Sequence, residues 1–131
     1  MVIGFLTKNG EIDQLLMTEM IQLARPMSVT FHRAFDLCRD PKTALEQLLD
    51  LGVDRLLTSG QQPTALEGVG LINQLVQQAG ERLIVMPGSG IRAHNIQEII
   101  KKTSAREYHV SARKTVFSAI DRKSTRLNSS H

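Results

Sequence analysis

The sequence predicts an α/β fold, a parallel β-sheet covered by helices and curved as part of a TIM (β/α)8 barrel. Three observations carry this. Short apolar runs alternate with helical patterns along the 131 residues. Each strand–helix unit takes roughly 25 to 30 residues, and its strand is almost continuously apolar, as strands buried on both faces are. Small and polar residues collect at the C-terminal ends of successive strands, in HRAFD, LTSG, PGSG and HVSAR. An open flavodoxin-like sheet concentrates its functional loops at one switch point, whereas polar loops along one whole rim match a barrel.

The elements follow in order. MVIGFLT is apolar and β-branched, and Asn9-Gly10 ends it as a turn. Ile12, Leu15, Leu16, Met20 and Leu23 recur at helical spacing and predict a first helix closed by Pro26. SVTFHRAF reads as the second strand. Asp40-Pro41 is an N-cap followed by proline at the first helical position, since the cap accepts an orphan N–H and proline has none to offer. Ala44, Leu45, Leu48 and Leu49 supply that helix's buried stripe, and Gly52 its stop. VDRLLTSG is the third strand. A helical segment opens at Pro63, breaks at Gly68-Val69-Gly70 and resumes with Leu71, Ile72, Leu75 and Val76. RLIVMPGSG is the fourth strand, with a helix through Ile96, Ile99 and Ile100, and EYHVSAR is a short fifth. About five parallel strands and four helices are therefore expected, fewer than a complete barrel needs.

Residues 1–120 read as one partial-barrel domain. The last eleven residues, DRKSTRLNSSH, break the pattern, with one large apolar residue and no periodicity. They resemble a translated sequencing-library adaptor, so 121–131 is expected to be a foreign, disordered tail outside the fold. Arg122, Lys123 and Arg126 against Asp121 place two of the three net positive charges there. The remaining body is too close to neutral to predict a nucleic-acid footprint. Trp is absent and aromatics make up 4% of the chain, which disfavours a base-stacking platform. No run of about 18 apolar residues predicts a membrane span, and no secretory signal is read at the N-terminus. Cys38, the single cysteine, fits a reducing compartment.

VTFHRAFD followed by DP, then LTSG, MPGSGI and HVSAR, in that order, resembles the CutC copper-homeostasis family over about Val2 to Arg113. The resemblance implies a TIM barrel of which this chain is a truncated member holding strands four to eight. It implies a cytoplasmic protein, with a nuclear location also open, some members being homo-oligomers. It implies copper as cofactor or bound ion. The family often places glycines after strand seven, where this chain has Gly88-Ser89-Gly90.

The candidate site residues lie on the predicted rim. His32 and Arg33, adjacent on a strand, would point to opposite faces. His32 is as consistent with a ligand-facing role as with a buried, hydrogen-bonded one. Arg33 and Asp36 read as an internal ion pair, because a buried charge requires a partner. Thr58, Ser59 and Gly60 end one strand, Gly88, Ser89 and Gly90 the next, and Ser111 and Arg113 follow the last. By the family register the latter two loops follow strands seven and eight, where barrels often bind phosphate through backbone N–H groups. A small anionic ligand is therefore the second candidate partner, beside copper. Copper would draw on imidazole, thiolate or thioether donors, and His32, Cys38 and His109 are the candidates, with Met86 and His94 further off. They form no CxxC, HxxH or MxxM cluster. No GxSxG, P-loop or paired rim carboxylates are present, so the sequence leaves open whether the chain is an enzyme.

Overall fold

The computed structural model describes residues 1–110 and the backbone of residues 114–117. Four parallel strands form the main sheet in chain order: β1 (Val2–Ile3), β2 (Thr30–Phe31), β3 (Arg55–Thr58) and β4 (Ile84–Pro87). Helices α1 (Gln14–Ala24), α2 (Pro41–Leu51) and α3 (Val69–Ala79) connect them, and α4 (Ile96–Thr103) leads to β5 (Glu107–Val110). β5 joins the sheet through a parallel bridge between Gly88 and His109. It also pairs antiparallel with β6 (Lys114–Phe117), a hairpin return that strand–helix alternation does not predict. The architecture is the expected α/β partial barrel.

Register explains the core. Ile3, Phe31, Leu56 and Val85 stand level across the four strands. All four are buried against the helix layer. The alternate row, Val2, Thr30, Arg55 and Ile84, lies on the opposite, concave face and is more open to solvent. Alternation thus converts one sequence period into two layers. The expected starts and stops of α2 are present: Asp40 accepts from the Thr43 N–H, Pro41 is the first helical residue, and Gly52 closes the helix at φ 80°. Its stripe buries Ala44, Leu45 and Leu48, with Leu49 half-buried. The break at Gly68 becomes the N-cap of α3.

Two expectations require correction. In α1 the face against the sheet is Met17, Ile21 and Ala24, while Leu15 and Leu23 are 85% and 76% exposed. The helix carries two apolar flanks, and spacing alone does not say which one meets the sheet. Ile12 is buried ahead of the helix, on an antiparallel bridge to Leu6. The strand expected over SVTFHRAF ends at Phe31, and Arg33–Leu37 winds into a 3-10 helix. The opposite-face argument for His32 and Arg33 therefore does not apply, because both lie beyond the pleat. Ser111, Arg113 and the tail 121–131 lie outside the described residues.

Candidate functional site

The C-terminal rim is organised around one carboxylate. Asp36 sits on the 3-10 turn that follows β2, and its side chain is 7% exposed. It accepts from Thr58 Oγ1 at 2.6 Å, from the Ser59 N–H at 3.1 Å and from the Gln61 N–H at 3.2 Å. Arg33 Nε donates to it at 2.8 Å, which is the ion pair the sequence suggested. The Gly60 N–H donates to Thr58 Oγ1 at 3.0 Å. The donors of Thr58, Ser59 and Gly60 are thus committed inside the protein. Asp36 occupies this loop as an anionic ligand would, and an external anion would have to displace it. A buried carboxylate is tolerated here because an arginine and several hydrogen-bond donors meet it.

Arg33 is the outward part of this cluster. Its side chain is 41% exposed, and Nη2 donates to Ser59 Oγ at 2.9 Å. Ser59 Oγ in turn lies 2.6 Å from the Gln62 carbonyl, the nearer acceptor for its single proton. Arg33 Nη1 donates to no acceptor among the described residues, so the guanidinium keeps one edge toward solvent.

His32 caps the 3-10 turn. Its Nδ1 accepts from the Ala34 N–H at 3.0 Å. An accepting Nδ1 means that the neutral ring carries its proton on Nε2, where it is a donor. The ring lies against Gly4, where a Cβ would come within 2.6 Å of Cε1. Gly4 is therefore part of the site, although no motif marks it.

The Gly88–Gly90 loop is tied down differently. The Gly88 N–H donates to the Thr58 carbonyl at 3.0 Å, which joins this loop to the Asp36 cluster. Ser89 and Gly90 both have positive φ, 96° and 73°. The Ser89 hydroxyl donates to the Pro63 carbonyl at 2.8 Å, so it braces the neighbouring loop. Asn95 Nδ2 donates to the Gly90 carbonyl at 3.0 Å. The Gly90 N–H donates to no acceptor among the described residues.

Gln61 is the residue the sequence reading passed over. It takes φ 62°, and its Nε2 donates to the Cys38 carbonyl at 2.8 Å and contacts Cys38 Sγ at 3.3 Å. Its main-chain N–H meets Asp36, so one residue fastens the β3 loop to the C-terminal half of the 3-10 turn. Gln61 falls in no metal or catalytic motif of this sequence, and sequence gives no sign of its positive φ. Cys38 is buried, and burial pushes its thiol up to about 11.

The copper candidates do not gather. His32 lies between β2 and the 3-10 turn, Cys38 caps the far end of that turn and His109 stands on β5. Among the described residues no three His, Cys, Asp or Glu side chains are placed to hold a metal ion. A cleft of about 300 Å³ lined by Val76, Gly80, Leu83, Ile84 and Arg106 lies beside the start of β4, at the far end of the sheet from the rim. No helix among the described residues is long and apolar enough to cross a membrane.

Comparison with known proteins adds a family to this geometry. The CutC family pattern matches residues 1–114. A CutC family protein of Parabacteroides distasonis is 56% identical over 120 residues, which are 92% of this chain and 49% of that protein. The copper homeostasis protein cutC homologues of mouse and human are 52% and 50% identical, over 86% and 88% of this chain and 42% of each relative. Among solved structures, CutC of Streptococcus agalactiae superimposes with a TM-score of 0.78 at 32% identity, covering 84% of this chain and 54% of that one. The chain spans about half the length of the curated relatives it matches.

Proposed function

The chain belongs to the CutC family, and from that membership we propose that it acts in copper homeostasis as the rim-bearing part of a cytoplasmic TIM barrel. The observation that carries the proposal is the family match across residues 1–114, with relatives named for copper homeostasis. The single cysteine, buried and unable to form a disulfide within the chain, suits the reducing compartment this reading requires.

Copper itself fits the residues of this chain poorly. Cu(I) favours soft thiolate and thioether donors, with imidazole also a copper ligand. His32 spends Nδ1 on the Ala34 N–H and holds a proton on Nε2, so binding a metal there would break the cap. The Cys38 thiol, pushed up to about 11 by burial, gives up its proton reluctantly to a metal. A complete copper site requires donors beyond those described here. The test is competition for Cu(I) against a chelator of roughly micromolar affinity, run on this chain and on a full-length relative. The relative is expected to take the metal and this chain to leave most of it with the chelator. Tight binding by this chain would overturn the incomplete ligand set, and failure of the relative would overturn copper binding as the family's route to homeostasis.

A second reading is favoured by the rim. The Nε2–H of His32, the open edge of Arg33 and the Gly90 N–H are donors carried by successive rim loops, and donors of this kind suit a small anionic or phosphorylated metabolite. Gly88, Ser89 and Gly90 would contribute backbone, with Ser111 and Arg113 as further candidates. Phosphate titration followed by the His32 ring resonances distinguishes the readings, since copper handling alone predicts no shift.

A further inference from the structure

We propose that Asn9 is a deamidation site and that the hairpin carrying it holds the reaction back. Asn9 precedes Gly10, and a glycine has no side chain to obstruct the approach of its nitrogen to the asparagine Cγ. The other asparagines, Asn73, Asn95 and Asn128, precede Gln74, Ile96 and Ser129, whose side chains stand in that path. The chemistry needs two consecutive residues and water, so it depends on no neighbouring segment.

The reaction balances without a further reagent. The Gly10 nitrogen gives up its proton to solvent base and bonds to Asn9 Cγ. The Cγ–Nδ2 bond breaks, ammonia leaves and a cyclic imide closes. Water then opens the imide on either side of its nitrogen. Release from Cγ gives aspartate, and release from the main-chain carbonyl carbon gives isoaspartate. The sum is a carboxamide and a water converted to a carboxylate and an ammonium ion, with no change of oxidation state.

The fold opposes the first step. Asn9 is exposed at the tip of a hairpin whose arms meet at the antiparallel bridge between Leu6 and Ile12. The Thr7 N–H donates to the Glu11 carbonyl at 2.7 Å, and the Gly10 N–H donates to the Thr7 carbonyl at 3.0 Å. Gly10, at φ 77°, is the left-handed residue that closes a hairpin loop of this length. Thr7 Oγ1 accepts from the Asn9 N–H at 3.2 Å and from the Glu11 N–H at 3.4 Å. The attacking nitrogen is therefore engaged as a donor and must leave the Thr7 carbonyl before it reaches Cγ. Deamidation proceeds through local opening of the turn.

The product alters the rim loop after β1. The Gly10 carbonyl accepts from the Arg39 N–H at 2.9 Å, and Glu11 pairs with Arg39 at 2.8 Å, which ties this loop to the residue ahead of the α2 cap. Isoaspartate lengthens the main chain by one carbon between the Asn9 Cα and Gly10, and so displaces the carbonyl that Arg39 holds. Either product adds a carboxylate two residues from Glu11.

The test is incubation of the chain in mildly alkaline buffer, folded and in guanidinium chloride, with peptide mass spectrometry and isoaspartate detection. Residue 9 is expected to convert to aspartate and isoaspartate, while Asn73 and Asn95 keep their amides. The folded rate is expected to be about fivefold or more below the denatured rate, the ratio that one main-chain hydrogen bond supports. Thr7→Val removes the hydroxyl acceptor inside the turn and is expected to quicken the reaction in the folded chain but not in the denatured one. An amide at residue 9 that survives prolonged incubation of the folded chain overturns the site. Equal rates in the two states, or a folded Thr7→Val chain that reacts no faster than the wild type, overturn the hairpin's restraint.

Discussion

At the residue scale, Asp36 determines what the rim can bind. Its carboxylate fills the loop after β3 with negative charge and satisfies Thr58, Ser59 and Gln61 at once. Removing it leaves buried donors without acceptors, which costs more than the hydrogen bonds themselves contributed. Asp36→Ala is therefore expected to destabilise the fold by about 3 kcal/mol in urea unfolding. Because the vacated position is lined by N–H groups and the Arg33 guanidinium, added phosphate is expected to raise the variant's urea midpoint more than the wild type's. Equal responses would show that the loop collapses and holds no anion cradle. The Arg33–Asp36 pair was legible in the sequence because the two residues are three apart beside an apolar strand. The role of Gln61 was not, since a positive φ and a contact to Cys38 are products of tertiary packing.

At the element scale, the loop after β3 and the start of α3 are held together by two glycines. Gly60, at φ 72°, lies against Gly68, and a Cβ on Gly68 would fall 1.9 Å from the Ser59 carbonyl oxygen and 2.9 Å from the Gly60 Cα. Those are backbone atoms and cannot rotate away. Gly68→Ala is expected to cost about 3 kcal/mol by forcing the two segments apart. Gly70 provides the contrast, being helical and exposed with nothing near its would-be Cβ. Gly70→Ala is expected to stabilise the protein by about 0.5–1 kcal/mol, the ordinary helix-propensity gain. Thermal melts of the two variants check both signs, and equal losses would mean that helix propensity, not backbone contact, governs Gly68. The sequence showed GVG as an interruption of the helical pattern. The reason for the interruption, a close approach between segments eight residues apart, appears only in the fold. The same limit applies to α1, whose two apolar flanks are equally helical in spacing, and to β2, whose length is cut short by the 3-10 turn that carries Asp36.

At the scale of the whole molecule, alternation of strand and helix was enough to read the layers and the rim, because local periodicity encodes both. How the sheet is held beyond β4 was not readable, because it depends on residues far apart in the chain. Arg55 on β3 donates through Nε and Nη2 to the Glu107 carboxylate on β5, at 2.8 and 3.1 Å, across a separation of 52 residues. The Glu107 side chain is 7% exposed, and its hydrogen bonds hold the Arg55 guanidinium above its ordinary range. Among the described residues β5 has one parallel bridge to the main sheet, Gly88 to His109, so this ion pair adds to the packing of buried Tyr108 in fastening it. Glu107→Gln keeps the shape and one acceptor but leaves the half-buried Arg55 charge without its partner. The expected cost is about 2–3 kcal/mol, below the range for a fully buried pair because Arg55 keeps contact with water. Its location is the sharper test. Amide exchange is expected to quicken first at Tyr108–Val110, while the amides of β3 and β4 keep their protection, since their ladder of paired residues does not involve Glu107. Uniform loss of protection would mean that the sheet opens as one unit and that the Arg55–Glu107 pair stabilises the whole fold without serving as a separate fastening for β5.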